Sequence, residues 1–314
     1  MNKKILAIAV SAVIVIAGTV AFWNTRKVES GQDISKEVVV ITDGRGEIQV
    51  TKNPERIVTF DYGVLDILDN IGIDVVGLPK SALPSDFSKY KDDKYKNLGD
   101  LKTPDFEAVN SVKPDLIIIS GRQEDMYDKF SEIAPTILLD IDGEAYIDTF
   151  TRNVNALGKI FDKGEIVEEK LKNIEKQIED INRKVTEKHV TASTIMVNDG
   201  ALSAFGGQSR FGIIYNQLGF DNVDNNMKES THGQQISFEY LVEKNSDYIF
   251  VVDRGAAQGK EGTAKSILDN DLVKSTNAYK NNKIVYLNSV AWYTVAGGIN
   301  STETMLKDIE QAIK

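Results

Sequence analysis

Two arginines occupy equivalent positions in an internal repeat of the sequence. The segment "FEAVNSVKPDLIIISGR" runs from Phe106 to Arg122, and "FEYLVEKNSDYIFVVDR" runs from Phe238 to Arg254. Phe, Glu, Asp, Ile and Arg occur at equivalent places in both segments. Each is displaced along the chain by the same number of positions that separates Arg122 from Arg254. A guanidinium group is always charged and binds planar anions through paired hydrogen bonds. The repeat therefore predicts one anion-binding arginine in each of two similar lobes. The alternative is a local ion pair at each site, which Asp253 beside Arg254 would permit.

Four other side chains are candidates for the same site. Arg210 lies in "AFGGQSRFG", where two adjacent glycines allow a tight turn near a ligand. His232 lies in "THGQ", in a polar loop just before the helix of the second repeat. Trp292 and Tyr293 follow the apolar run "KIVYLN", which is typical of a strand. The alternatives are solvated surface positions for Arg210 and His232, and core packing for Trp292.

Both repeats have the pattern of an α/β lobe. Short apolar runs follow Asp115 ("LIIIS") and Asp247 ("YIFVV"), and they do not alternate with polar residues, as in strands that are covered on both faces. A second pair of segments, "LDNIGIDVV" from Leu68 and "YNQLGFDNV" from Tyr215, indicates a helix that ends in glycine before a strand. The prediction is two similar Rossmann-like lobes with largely parallel sheets. Ligands of such sheets bind outside the carboxyl ends of the strands, which places both arginines at a cleft between the lobes.

Two amphipathic helices are predicted between the lobes. Apolar residues recur at spacings of three and four over residues 146–161, and a second, charged helix follows over 164–189. A helical connection restricts hinge motion, so we expect modest opening and closing. The predicted organisation is a signal or membrane anchor at 1–25, a tether at 26–37, an N-terminal lobe at 38–143, a long bridging helix at 144–163 and a C-terminal lobe at 164–314.

The N-terminal segment predicts export. Lys3 and Lys4 precede an uncharged apolar stretch from Ile5 to Trp23, long enough to span the bilayer core as a helix. An uncleaved anchor and a cleaved signal both fit, because the small-residue cleavage site is weak. The chain has no cysteine, which excludes a thioether-linked lipid. We therefore expect the protein at the extracytoplasmic face of the cell membrane, tethered by peptide.

Composition argues against two other classes of function. The net charge of −10 opposes binding to nucleic acid, which requires a basic surface. The sequence contains no phosphate-binding loop, no G-x-S-x-G motif, no cysteine and only two histidines, which argues against an enzyme. We expect a monomeric binding protein with no intrinsic cofactor.

Taken together, these motifs resemble the siderophore-binding substrate-binding proteins of ABC importers, the two-lobed class with a bridging helix. The resemblance covers about residues 38–314 and is greatest for the branch that binds ferric catecholate and petrobactin-type siderophores. It depends on the paired repeats, on the arginines of "GRQ", "SRFG" and "DRG", and on "THGQ" and "WYTVAGG".

The resemblance implies a role for each candidate. The basic residues of the family fall on Arg122, Arg210 and Arg254. Trp292 is predicted as a further ligand contact from its position after a strand end, and not from the resemblance. The groups that contact Fe(III) of the bound siderophore fall on His232 and Tyr293. Glu107 and Glu239, one in each repeat, match the family positions that dock onto the importer permease. The alternatives are a receptor for haem, cobalamin or a hydroxamate siderophore and, more remotely, a cell-surface α/β enzyme.

Overall fold

The computed structural model describes residues 37–227, 230 and 232–314. The signal or anchor predicted at 1–25 and nearly all of the tether predicted at 26–37 lie outside these residues, and the predicted domain boundaries stay predictions. Within the described part of the chain, no helix has the length and apolar character needed to cross a bilayer.

Thirteen strands are formed by the described residues. They are β1 (Val38–Asp43), β2 (Gly46–Thr51), β3 (Ile57–Thr59), β4 (Gly77–Leu78), β5 (Lys96–Asn97), β6 (Leu116–Ile119), β7 (Thr136–Leu138), β8 (Thr191–Asn198), β9 (Ala201–Phe205), β10 (Asp221–Asn222), β11 (Gln234–Ile236), β12 (Tyr248–Asp253) and β13 (Ile284–Tyr286).

Twelve α-helices connect or flank these strands in the described ranges. They are α1 (Tyr62–Asn70), α2 (Phe106–Ser111), α3 (Tyr127–Ser131), α4 (Tyr146–Ile160), α5 (Gly164–Thr186), α6 (Ile213–Asn216), α7 (Phe238–Lys244), α8 (Arg254–Ala257), α9 (Ala264–Ile267), α10 (Asp271–Ser275), α11 (Asn277–Lys280) and α12 (Ile299–Ala312). Short 3₁₀ segments cover Ser85–Lys91 and Gly121–Met126, and a π-helical turn covers Val290–Thr294.

The N-terminal sheet is parallel throughout, with strand order β5-β4-β3-β6-β7. Strand β6, which lies between β3 and β7, is buried at every position, because helices and loops cover both faces. The non-alternating apolar run after Asp115 is therefore a strand of the predicted kind.

The C-terminal sheet is mixed, which differs from the largely parallel sheet that the repeat predicts. Its order is β11-β9-β8-β12-β13, with β10 added beside β8. Strands β10 and β12 run parallel to β8, and β13 runs parallel to β12. Strand β9 is antiparallel to both of its neighbours, β8 and β11. The cause is the two-residue connection Asp199-Gly200, where both residues have positive φ (48° and 86°). A two-residue turn of this kind reverses the chain into a hairpin, and Asp-Gly is a typical sequence for it.

The internal repeat corresponds to equivalent elements. Helices α2 and α7 begin at Phe106 and Phe238, and strands β6 and β12 begin at Leu116 and Tyr248, so helix and strand are separated by the same length of chain in both repeats. The predicted α/β architecture with two related lobes is thereby confirmed.

One large hydrophobic core contains residues of both sheets. Leu116 and Ile118 of β6 and Phe250 of β12 belong to it, together with residues of α1, α4, α5 and α12. Alternate residues of the same strands, such as Ile117 and Ile249, belong to two smaller clusters. The lobes therefore share a continuous core, which resists large rigid-body opening because apolar surface would be exposed.

A buried carboxylate links α1 to α12. Asp66 of α1 is 2% exposed and accepts a hydrogen bond of 2.9 Å from the backbone N–H of Ser301, in the first turn of α12. Burial raises the pKa of Asp66 to about 6, although hydrogen bonds from Ser301 and Asn300 favour the ionised form. The carboxyl group thus binds its proton more tightly in the folded than in the unfolded chain.

Replacing Asp66 with asparagine should change how stability depends on pH. A group whose pKa is raised by folding stabilises the folded chain, and this contribution is complete at pH values below the pKa of the unfolded chain. For Asp66 it is lost as the pH rises through about 6. We therefore compare the free energies of unfolding of the two proteins at each pH. The value for Asp66→Asn relative to the wild type should increase by roughly 2 to 3 kcal/mol from pH 4 to pH 8. Urea unfolding at several pH values measures this difference. Parallel curves for the two proteins would contradict the assignment.

Candidate functional site

The repeat places two arginines just beyond equivalent strands. Arg122 lies in the 3₁₀ segment that follows β6, and Arg254 is the first residue of α8, which follows β12. Parallel strands present their carboxyl ends at one edge of a sheet, where ligands of open α/β sheets bind. Both arginines are therefore at the edge that the sequence predicts.

Two adjoining cavities form a cleft at this edge. The first compartment has a volume of about 340 Å³ and is lined by Asp61, Ser120, Gly121, Arg122, Leu139, Asp140, Ile141, Gly143, Arg210, Trp292, Tyr293 and Ala296. The second compartment has a volume of about 230 Å³ and is lined by Ala82, Asp100, Leu101, Lys102, Arg122, Arg254, Ala257, Gln258, Tyr293 and Thr294. Arg122 and Tyr293 line both, so the compartments meet at these two residues.

Tyr293 is surrounded by positive charge. The guanidinium carbon of Arg210 lies 4.3 Å from the centre of the Tyr293 ring, and the charges of Arg210 and Arg254 both act on its phenol group. Burial alone would raise the pKa of Tyr293, but the positive charges of Arg210 and Arg254 outweigh it, so this pKa lies below its ordinary value. The two guanidinium groups therefore favour the ionised form of the phenol.

Arg210 carries an unneutralised charge at the wall of the first compartment. It forms no ion pair with a carboxylate in the described part of the chain. Burial, together with the nearby charges of Arg122 and Arg254, lowers the pKa of Arg210 against the opposing effect of Tyr293. A site with several cations and low solvent access attracts anions, because a bound anion relieves the repulsion.

A glycine contact determines where Arg210 lies. A side chain at Gly143 would come within 2.0 Å of the Ser209 carbonyl oxygen, so only glycine allows the Arg210 loop to pack this closely. The Ser209 hydroxyl closes the loop by donating a 2.7 Å hydrogen bond to the Gly206 carbonyl. The loop thus holds the arginine against the opposite side of the cleft.

Arg122 has a carboxylate partner that sequence reasoning missed. Its Nη1 lies 3.4 Å from Oδ2 of Asp61, and the other oxygen of Asp61 accepts a 3.0 Å hydrogen bond from the Val64 N–H at the start of α1. An Asp before an apolar helix can be recognised as an N-cap from the sequence. Its contact with Arg122 cannot, because the two residues are 61 positions apart in the chain. Asp61 therefore orients Arg122 at the junction of the two compartments.

The local ion pair considered for Arg254 does not form. Asp253 instead accepts hydrogen bonds from the backbone N–H groups of Ala256, Thr263 and Ala264, at 2.6–3.0 Å. Arg254 has no carboxylate partner among the described residues, and its buried Nε has no hydrogen-bond partner there. The charge of Arg254 is therefore available to a ligand.

Trp292 and His232 differ in their relation to the cleft. Trp292 is 1% exposed, lines the first compartment and donates its indole N–H to Asp308 at 3.0 Å. His232 is exposed, at a turn where the Gly233 N–H donates to the Ser230 carbonyl at 3.0 Å, and it lines neither compartment. The structure thus brings Trp292, Tyr293 and the three arginines together, but not His232.

The two repeated glutamates lie away from the compartments, on equivalent helices. Glu107 and Glu239 are exposed in the first turns of α2 and α7. A carboxylate in the first turn is favoured by the helix dipole, and neither side chain has an ion-pair partner among the described residues. They are accessible to a macromolecular partner.

Comparisons with known proteins agree with this geometry. The family described as periplasmic binding protein matches residues 57–291. The petrobactin-binding protein YclQ of Bacillus subtilis is 42% identical over 314 residues, which cover 99% of this chain and 98% of that protein. The ferric-anguibactin-binding protein FatB of Vibrio anguillarum is 30% identical over 318 residues, which cover 98% of each chain.

Solved structures show the same fold. The crystal structure of YclQ superimposes with a TM-score of 0.85 at 44% identity, over 89% of this chain and 99% of that chain. The catecholate-siderophore binding protein VctP from Vibrio cholerae superimposes with a TM-score of 0.84 at 37% identity, over 88% of this chain and 100% of that chain. This chain therefore belongs to the periplasmic binding protein family and has the two-lobed fold of its siderophore-binding members.

Proposed function

We propose that this chain captures an anionic ferric siderophore, of catecholate or mixed catecholate-citrate type, and delivers it to an ABC importer for iron uptake. The observation that carries the proposal is the Tyr293 phenol, whose pKa is lowered by Arg210 and Arg254 in a cleft that Arg122 also lines. Relatives are named for binding petrobactin, ferric anguibactin and a catecholate siderophore, which supports the same ligand class.

Coordination chemistry explains why a phenol would be useful here. Two catecholates supply four oxygen ligands to octahedral Fe(III) and leave two positions open, which a phenolate and an imidazole can fill. Ferric catecholate complexes are anionic, and guanidinium groups stabilise them by charge-assisted hydrogen bonds. We assign the phenolate to Tyr293 and the imidazole to His232. Because His232 lies outside both compartments, its coordination requires its turn to move towards the cleft.

Tryptophan fluorescence provides the direct test. The chain has two tryptophans, so a Trp23→Phe variant of the full-length protein in detergent reports on Trp292 alone. Trp292 lines the first compartment, so a ferric catecholate bound there should quench its emission saturably. Absence of saturable quenching by any ferric catecholate would contradict the proposal. Parallel titrations with haem, cobalamin and a ferric hydroxamate test the other ligand classes.

The proposal includes docking to the permease through Glu107 and Glu239. These exposed carboxylates are the second residues of α2 and α7, so each lobe presents one of them in the same local setting. Two like carboxylates suit an importer that presents basic residues on two similar halves.

Replacing both glutamates with alanine should separate binding from transport. Because neither side chain lines a compartment, the affinity of the double variant for ferric siderophore should be unchanged. Uptake of ⁵⁵Fe by cells that depend on this chain should fall at least about tenfold, since both docking charges are lost. The control is Glu168→Ala with Glu175→Ala, the same change of charge at exposed positions of α5. Equal uptake by both double variants would contradict the docking role.

We also propose that the protein acts as a monomer at the extracytoplasmic face of the membrane, without catalysing a reaction. The absence of cysteine from the sequence supports a peptide tether rather than a Cys-linked lipid. N-terminal sequencing of the protein from membranes distinguishes an uncleaved anchor from a cleaved signal. Recovery of bound siderophore in chemically unchanged form supports the role of a binder, and turnover would contradict it.

A further inference from the structure

A small cavity lies behind the turn that carries Trp292 and Tyr293. Its volume is about 110 Å³, and none of its lining residues lines either compartment of the cleft. Asp66 of α1 lines it, as do Val290, which begins the π-helical turn, and Val295, which follows the turn. The cavity thus places a buried carboxylate next to both ends of that turn.

The Asp66 carboxylate is bonded through both of its oxygens. Oδ2 accepts a 2.9 Å hydrogen bond from the Ser301 N–H, and Oδ1 accepts one of 3.0 Å from the side-chain amide of Asn70. A side chain at Gly298 would come within 2.2 Å of Oδ2, so only glycine lets the start of α12 approach this closely. A negative charge in this place is favoured by the dipole of α12.

Ser301 connects Asp66 to the π-helical turn. While its backbone N–H is bonded to Asp66, its hydroxyl donates a 2.7 Å hydrogen bond to the Val295 carbonyl. The Val295 N–H in turn donates to the Val290 carbonyl at 3.0 Å, which closes the turn. Hydrogen bonds therefore lead from the carboxylate to the turn that places Trp292 and Tyr293 at the cleft.

We propose that Asp66 is a positioning residue for the ferric siderophore, which in its ionised form holds the turn of Trp292 and Tyr293 through Ser301. This inference rests on the proposed function, because it assigns Asp66 a role in that same binding site. A carboxylate accepts a stronger hydrogen bond than a carboxylic acid does. Protonation of Asp66 therefore loosens the turn and weakens ligand binding.

Other titratable groups surround Asp66. They are Asp69 on α1, Asp86 on the 3₁₀ segment Ser85–Lys91, Tyr146 on α4 and Asp308 on α12. Asp69 pairs with Lys89, and burial raises the pKa of Tyr146 to about 12, so that its phenol stays neutral. Asp308 accepts the indole N–H of Trp292, and burial raises its pKa also. A test must therefore isolate the contribution of Asp66 from that of Asp308.

Asp66→Asn provides this test, because an amide does not ionise. Titration of a ferric bis-catecholate in the Trp23→Phe background, at pH values from 5 to 7.5, gives the affinity of both proteins for the same ligand. Their ratio cancels the protonation of the ligand and of Asp308. At pH 7.5 the variant should bind roughly five- to tenfold more weakly than the wild type. At pH 5 the difference should fall below about twofold, because the pKa of Asp66, near 6, leaves most of the wild type protonated.

The pH dependence separates positioning from a general loss of stability. As pH rises, Asp66→Asn should become more stable relative to the wild type but should bind more weakly relative to it, which a merely structural role does not produce. Ser301→Ala tests the route, since it removes the hydroxyl bond to Val295 and keeps the backbone N–H. Adding Asp66→Asn to Ser301→Ala should change the affinity less than about twofold further, because both act through one connection.

Asp86→Asn is the matched control. Asp86 is an exposed carboxylate that lines the same cavity, and it accepts the hydroxyl of its neighbour Ser85 at 3.3 Å. This variant should bind as the wild type does at every pH. A constant affinity ratio for Asp66→Asn across the pH range, an equal loss in Asp86→Asn, or additive losses with Ser301→Ala would overturn the positioning role. Failure of the unmodified chain to bind any ferric bis-catecholate would instead overturn the proposed function.

Discussion

Replacing Arg210 with alanine is expected to weaken binding of a ferric bis-catecholate by about a hundredfold, as is typical when one partner of a desolvated charge pair is removed. Arg210 lines the first compartment without a carboxylate partner in the described ranges, so its charge is directed at a ligand rather than at the protein. Its loss also removes one of the two charges that lower the pKa of Tyr293, which makes the phenolate less available. Fluorescence titration in the Trp23→Phe background measures the change.

Arg183→Ala provides the control for net charge. Arg183 lies on α5, pairs with Asp180 at 2.8 Å and lines neither compartment. Its replacement removes the same charge but should change the affinity less than about twofold, because exposed charges at a distance are screened. Similar losses in Arg183→Ala and Arg210→Ala would show that only the overall charge of the protein matters.

The combined change of Tyr293→Phe and His232→Ala is expected to separate two classes of ligand. A bis-catecholate leaves two iron positions for the protein, so loss of both side chains should weaken its complex by roughly 30- to 100-fold, corresponding to about 2 to 3 kcal/mol. A tris-catecholate already fills six positions, so its affinity should change little. The phenolate-to-iron absorption band and the associated circular dichroism should disappear with Tyr293→Phe alone.

The control for this pair is Tyr279→Phe with His189→Asn. Tyr279 is an exposed tyrosine outside both compartments, and His189 has a φ of 48°, a conformation that asparagine tolerates. This pair should leave both ligand classes unaffected. Equal losses for bis- and tris-catecholates in the Tyr293 and His232 variant would argue against direct coordination. The single variant His232→Ala then shows whether this exposed residue contributes to binding.

The sequence by itself determined the repeated α/β pattern and the position of its arginines. A helix beginning at Phe106 or Phe238, followed by a buried strand, follows from local apolar patterns that depend on near neighbours. Because the same pattern occurs twice in one register, Arg122 and Arg254 are predictable at equivalent strand ends from the order of residues alone. The antiparallel pair β8-β9 was predictable in principle from Asp199-Gly200 but was missed.

Only the tertiary structure decided how the side chains of the cleft interact. The contact of Asp61 with Arg122 spans 61 residues, and Tyr293 meets Arg210 from a distant part of the chain. The same is true of the carboxylate of Asp253, which is directed to backbone N–H groups rather than to its neighbour Arg254.

Packing likewise divided the cleft into two compartments, placed Lys102 at the second and left His232 outside both. Charge, burial and distance act through space, so they depend on how distant segments pack and not on the order of residues along the chain. The sequence alone therefore predicts which residues could bind an anion, and the folded chain determines which of their charges remain free to do so.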